Sequence, residues 1–88
     1  MFGRRKKRRE ELEPQLMEIV RLHLQRRGIE RSVGLDEALS EEGLGFDSVA
    51  RLELLTAVEE RCGVRIPEAY WGTRPVESLR HLLDILCS

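Results

Sequence analysis

Three stretches of this chain repeat apolar residues at steps of three and four, and none alternates β-branched residues at a step of two. That contrast most narrows the fold, because a period near 3.6 lines one face of a helix and a period of 2 lines one face of a strand. The first stretch holds Leu12, Leu16, Ile19, Val20, His23 and Leu24. The second holds Val49, Leu52, Leu55, Val58 and Cys62, widened by Leu54, and the third Val76, Leu79, Leu82, Leu83 and Leu86. The pattern predicts an all-α chain: a small four-helix bundle of three main helices and one short one, with a long ordered loop between helices one and two.

The punctuation agrees with this division. Pro14 suits a first turn, where its missing N–H is harmless, and Glu10, Glu11 and Glu13 suit the positive end of the helix dipole. Gly28 and Gly63 supply stops after the first and second helices. Ile66-Pro67 forces an extended link, because the residue before proline avoids the helical region. Glu68 to Trp71 reads as a single helical turn, and Thr73 and Pro75 as the start of the last helix. Between Gly28 and Asp47 lie about twenty residues with no helical period, a length that in a compact domain tends to be functional. One helical turn near Asp36–Leu39 is expected there, with Leu35, Leu39, Leu44 and Phe46 pinning the loop to the core. Gly43 and Gly45 are expected to let the loop approach the second helix without obstruction.

Charge is distributed unevenly. The formal net charge is −1, yet Arg4, Arg5, Lys6, Lys7, Arg8 and Arg9 form one basic run. Without that run nine basic residues face sixteen acidic ones, so the body from Glu10 onward carries about −7. Residues 1–9 read as a disordered basic arm and 10–88 as one helical domain. The arm reads as solvated, with binding to nucleic acid, to an anionic membrane or to the acidic body as alternatives. An acidic body argues against nucleic acid as the main ligand. No apolar run approaches the ~20 residues of a membrane span, and the N-terminus lacks the apolar core of a signal peptide, so a cytoplasmic monomer is expected. Cys62 and Cys87 have no CxxC spacing and read as thiols at helix ends. His23 and His81 read as core or boundary histidines, so no metal site is expected. Tyr70-Trp71 reads as a plug for the core, a contact with a partner or arm beside the Ser48 end being the other reading.

Asp47-Ser48 opens the second helix, and both residue types are favoured N-caps. Neither Ala50 nor Arg51 can complete a capping box. The surrounding string says more. Leu44-Gly45-Phe46-Asp47-Ser48-Val49 is followed by Leu52-Glu53-Leu54, Val58-Glu59-Glu60, Ile66-Pro67 and a leucine-rich closing segment with Val76 and Leu79. Over residues 12 to 86 this resembles the acyl and peptidyl carrier proteins. The resemblance implies a 4′-phosphopantetheine arm, taken from coenzyme A and attached to Ser48, with Asp47 ordering the helix start and helping to position a transferase's metal. It further implies a non-catalytic, free-standing carrier that holds an acyl or aminoacyl thioester. Its partners would be a phosphopantetheinyl transferase, a loading enzyme and a downstream synthase or transferase. Val49, Arg51, Glu53, Thr56, Glu59 and Glu60 form the implied recognition face. Val49 replaces the usual Leu, Ala50-Arg51 replaces an acidic turn, and Thr56 stands where an apolar residue is common. The Ala50-Arg51 turn points away from a generic fatty-acid synthase role and toward a dedicated partner in polyketide or nonribosomal-peptide-type biosynthesis, with fatty-acid-like biosynthesis as the alternative. Val49 is a mild change, and Thr56 implies more polar docking. The rival reading is a small nucleic-acid- or anion-binding module that uses the basic arm.

Overall fold

In a computed structural model of the protein, which describes residues 8–87, the periodic stretches form α1 (Arg9–Arg26), α2 (Ser48–Cys62) and α3 (Leu79–Cys87). A 3-10 turn spans Glu68–Trp71, where the sequence predicts a single helical turn. No strand occurs among the described residues. The architecture is all-helical, but a lone 3-10 turn takes the place of a fourth bundle helix.

α1 packs against both α2 and α3. Leu12, Leu16, Val20, Val58, Leu79 and Leu82 meet in the interior with no exposed surface. α1 starts at Arg9, ahead of the first periodic leucine: the Arg8 N–H donates to Glu11 Oε1 at 3.4 Å, and Arg9 pairs with Asp84 of α3 at 2.6 Å. Pro14 therefore lies beyond the first turn, and its missing N–H leaves the Glu10 carbonyl without its helical donor. Of the basic run, Arg8 and Arg9 cap and open α1, while Arg4 to Lys7 lie outside the described residues. α1 ends as the glycine stop predicts. Gly28 takes φ 76°, its N–H reaches the Gln25 carbonyl at 2.9 Å, and the Ile29 N–H reaches the Leu24 carbonyl at 2.9 Å.

Further sequence expectations need correction. The buried stripe of α2 is Ala50, Leu54, Leu55, Val58 and Cys62, whereas Leu52 is 42 % exposed and Val49, which as a recognition residue is expected to stay partly exposed, is 64 % exposed. Two adjacent apolar rows compete for the core on this helix, and the row at 50, 54, 58 and 62 lies closer to one straight face. The last helix starts at Leu79, not near Thr73 or Pro75. Ser78 Oγ accepts the His81 N–H at 3.1 Å as its N-cap, and the Glu77 carbonyl is committed to the Leu39 N–H at 2.9 Å. Val76 is buried nonetheless, from an extended segment. Finally, no helical turn forms at Asp36–Leu39; hydrogen-bonded turns occupy 35–36 and 41–44.

The long loop is ordered by its backbone as much as by its leucines. The Leu44 N–H donates to Ala38 O at 2.8 Å, the Phe46 N–H to Leu39 O at 2.7 Å, and the Arg80 N–H to Leu35 O at 3.0 Å. Leu39, Leu44 and Phe46 are buried as expected, and Leu35 is half-buried. The Arg80 guanidinium pairs with Asp36 and holds that carboxyl below the usual carboxylate range. Gly43 serves a different contact from the expected one: a Cβ there would lie 2.0 Å from Ala38 O, inside the loop itself. Gly45 is needed for its φ of 80°. No helix among the described residues is long and apolar enough to cross a membrane. Cys62 is buried and Cys87 half-buried, both as thiols.

Candidate functional site

Asp47 and Ser48 divide the work at the start of α2. Asp47 is the N-cap, and its Oδ1 accepts the Ala50 N–H at 2.8 Å. Ser48 is the first helical residue; it is exposed, and its hydroxyl has no hydrogen-bond partner among the described residues. Capping thus does not occupy the serine. Replacing Asp47 by Ala removes that cap and should lower stability by about 1 kcal/mol, read as a lower denaturant midpoint with an unchanged slope.

The chain approaches this point through a fixed path. The Arg27 guanidinium, just past α1, donates to Gly45 O at 3.3 Å. Phe46 stacks on His23 of α1, with ring centroids 4.6 Å apart and planes 28° apart. Buried Phe46 thereby anchors the residue immediately before the cap. His23 is half-buried as a boundary histidine, and its Nε2 has no hydrogen-bond partner among the described residues. Burial and then the nearby Arg27 push its pKa down, so the fold favours the neutral ring. A base held below its unfolded value, near 6.5, contributes fully above that value and costs stability as pH falls through it. The melting temperature of His23→Gln should therefore fall less than that of the native chain between about pH 7 and pH 5, and parallel slopes would count against this.

A cleft of about 170 Å³ opens beside Ser48. Leu52 and Leu55 of α2, Trp71 and Val76 supply its apolar lining, and Arg51 and Arg74 flank it. Trp71 is held in place because its indole Nε1 donates to Ile66 O at 3.2 Å. Tyr70 and Trp71 are half-buried against the core, as the plug reading expects, and they also line this cleft. Neither histidine nor carboxylate is among the cleft's lining residues. His81 instead accepts the Glu77 N–H on Nδ1 at 3.1 Å and meets Tyr70 edge-on. The cleft's lining therefore offers the Ser48 hydroxyl no base.

The residues expected to form the recognition face border different grooves. Val49, Glu53, Thr56 and Glu60 border a groove between α1 and α2, whereas Arg51 borders the Ser48 cleft. Glu59 borders neither; its Oε2 accepts the Ile66 N–H at 2.7 Å and ties α2 to the link that follows. Exposed Leu52, which was grouped with the core stripe, reaches both grooves. A missed signal was available: Leu52 lies four residues from Ser48, on the same side of the helix.

A family model described as Phosphopantetheine attachment site matches residues 15–69, more than half of the chain. That span runs from α1 through the loop and α2 to the 3-10 turn and contains Ser48. No curated protein and no solved structure matches the chain significantly. The match brings with it what such domains do: they take 4′-phosphopantetheine covalently, they are not catalysts, and they interact with phosphopantetheinyl transferases and biosynthetic enzymes. With an exposed, unengaged serine at the tip of a capped helix inside the matched span, the chain belongs to the phosphopantetheine attachment-site family of carrier domains.

Proposed function

We propose that Ser48 is the attachment residue and that the domain presents an acyl or aminoacyl cargo to partner enzymes. The observation that carries this reading is the release of the Ser48 hydroxyl from capping, because Asp47 takes the Ala50 N–H instead. The surroundings fit an anionic phosphodiester: the first turn of α2 holds no acidic residue, and its leading N–H groups point outward. When bound, the arm supplies a terminal thiol that holds cargo as a thioester. The chain's own part is to keep Ser48 exposed on a rigid helix start and to give up its proton to a base held by the transferase.

For partners, Val49 and Leu52 offer exposed apolar surface next to Ser48, with Glu53, Thr56 and Glu60 along the same groove. Arg51 breaks the acidic character expected of a generic fatty-acid carrier, which favours a dedicated enzyme of polyketide or nonribosomal-peptide-type biosynthesis. The nucleic-acid reading draws no support from the family match. Incubation with coenzyme A and a promiscuous phosphopantetheinyl transferase, followed by intact mass, tests the reading. The native chain should gain one phosphopantetheinyl group; no gain would overturn it.

A further inference from the structure

The cleft beside Ser48 has a composition unlike the rest of this surface. The body of the chain is acidic, with sixteen carboxylates against nine basic residues beyond the basic run, yet the cleft's lining includes two arginines and no carboxylate. Arg51 lies three residues after Ser48, on the same side of α2. Arg74 comes from the opposite wall, where its position is set by several contacts. Its N–H donates to Ala69 O at 2.9 Å, Thr73 Oγ1 donates to that same carbonyl at 3.2 Å, and its guanidinium lies 6.0 Å from the Tyr70 ring centroid. Arg51 and Arg74, like Arg26, Arg27, Arg61 and Arg65, form no ion pair among the described residues, so neither charge is already engaged. Two arginines that line one apolar cleft without a carboxylate partner can receive an anion there.

Size narrows what that anion is. Sites that enclose a drug-sized ligand run to roughly 300–1,000 Å³. At about 170 Å³ this cleft takes a phosphate and a few carbons, not a long acyl chain. Building on the proposal that Ser48 is the attachment residue, we infer that Arg51 and Arg74 bind the phosphodiester on Ser48 and settle the near end of the arm in this cleft, over Leu55, Trp71 and Val76. The two guanidiniums more than offset the single negative charge of the phosphodiester, and the apolar wall covers the branched carbons next to it. The cargo end stays outside. Arg51 and Arg74 therefore act as positioning residues that aim the arm along the 3-10 turn rather than leaving it to sweep the whole surface.

The experiment compares amide spectra before and after loading, in the native chain and in Arg51→Gln/Arg74→Gln. Intact mass first establishes that each sample is fully loaded at one site, so loss of the attachment reading shows up separately as a missing mass gain. Loading the native chain should shift the backbone amides of Trp71, Gly72 and Val76 and the Trp71 indole resonance, together with those of Ser48 and Val49. In the double variant the shifts at Trp71, Gly72 and Val76 should be lost, while those at Ser48 and Val49 remain. The inference is overturned if the loaded native chain leaves Trp71, Gly72 and Val76 unmoved, as it would if the arginines served only an acidic partner surface. It is equally overturned if the double variant keeps the native shifts.

Discussion

Gly43→Ala should destabilise the protein by about 3 kcal/mol or more, a large share of the 5–15 kcal/mol typical of a domain this size. The added Cβ would lie 2.0 Å from Ala38 O, 2.8 Å from Ala38 C and 3.0 Å from Ala38 N. Neither side of this contact can retreat cheaply. The Ala38 carbonyl is held by the Leu44 N–H at 2.8 Å, and Leu44 and Phe46, just beyond, are buried in the core. Gly45→Ala is the informative partner variant. A Cβ there meets open space, so its cost is only that of placing alanine at φ 80°, about 1–2 kcal/mol. Urea unfolding of the two variants should rank Gly43→Ala well below Gly45→Ala in midpoint. Equal midpoints would mean that the loop yields at Ala38, and would remove the account of how the Ser48 approach is held.

The second large effect is expected at Ser48 and separates attachment from folding. Ser48→Ala should abolish loading by coenzyme A and transferase altogether, since no acceptor oxygen remains at that position. Its stability should stay within about 0.5 kcal/mol of the native chain, because the residue is exposed, is not the cap, and alanine favours helices. Ser48→Asn extends the contrast. A domain whose only use for residue 48 were to start a helix would function normally with asparagine, whereas a carrier would not. Asp47→Ala is the mirror image, with stability lost and the hydroxyl retained.

How far the sequence alone discloses this molecule depends on which residues carry the signal. The helices were legible because Leu12 to Leu24, Leu54 to Cys62 and Leu79 to Leu86 keep a helical period over several turns. The turn at Glu68–Trp71 was legible because Ile66-Pro67 blocks any continuous helix before it. What failed was local evidence outvoted by distant partners. Thr73 and Pro75 look like a helix start, but the backbone at Glu77 is already bonded to Leu39, so α3 waits for Ser78. Val49 and Leu52 look like core residues, yet the row through Ala50 faces α1.

The site divides in the same way. The string singled out Asp47 and Ser48 at the start of α2, and the backbone gives the cap to Asp47. The pairing of Arg51 with Arg74 was not readable. It depends on the chain folding back through Pro67 and the 3-10 turn to bring residues 23 apart in sequence to one cleft. The placement of the residues read along α2 was not readable for a related reason: Glu59 bonds the link at Ile66, and Arg51 and Glu53 border different grooves.

The most direct test is to locate the added mass. The native chain is loaded with coenzyme A and a promiscuous transferase, digested and fragmented, and the modified residue is read from the fragments. The account predicts a single phosphopantetheinyl group carried by Ser48 and none on Ser32, Ser40, Thr56 or Ser78. A gain assigned to any other hydroxyl, or a loaded Ser48→Ala chain, would contradict it.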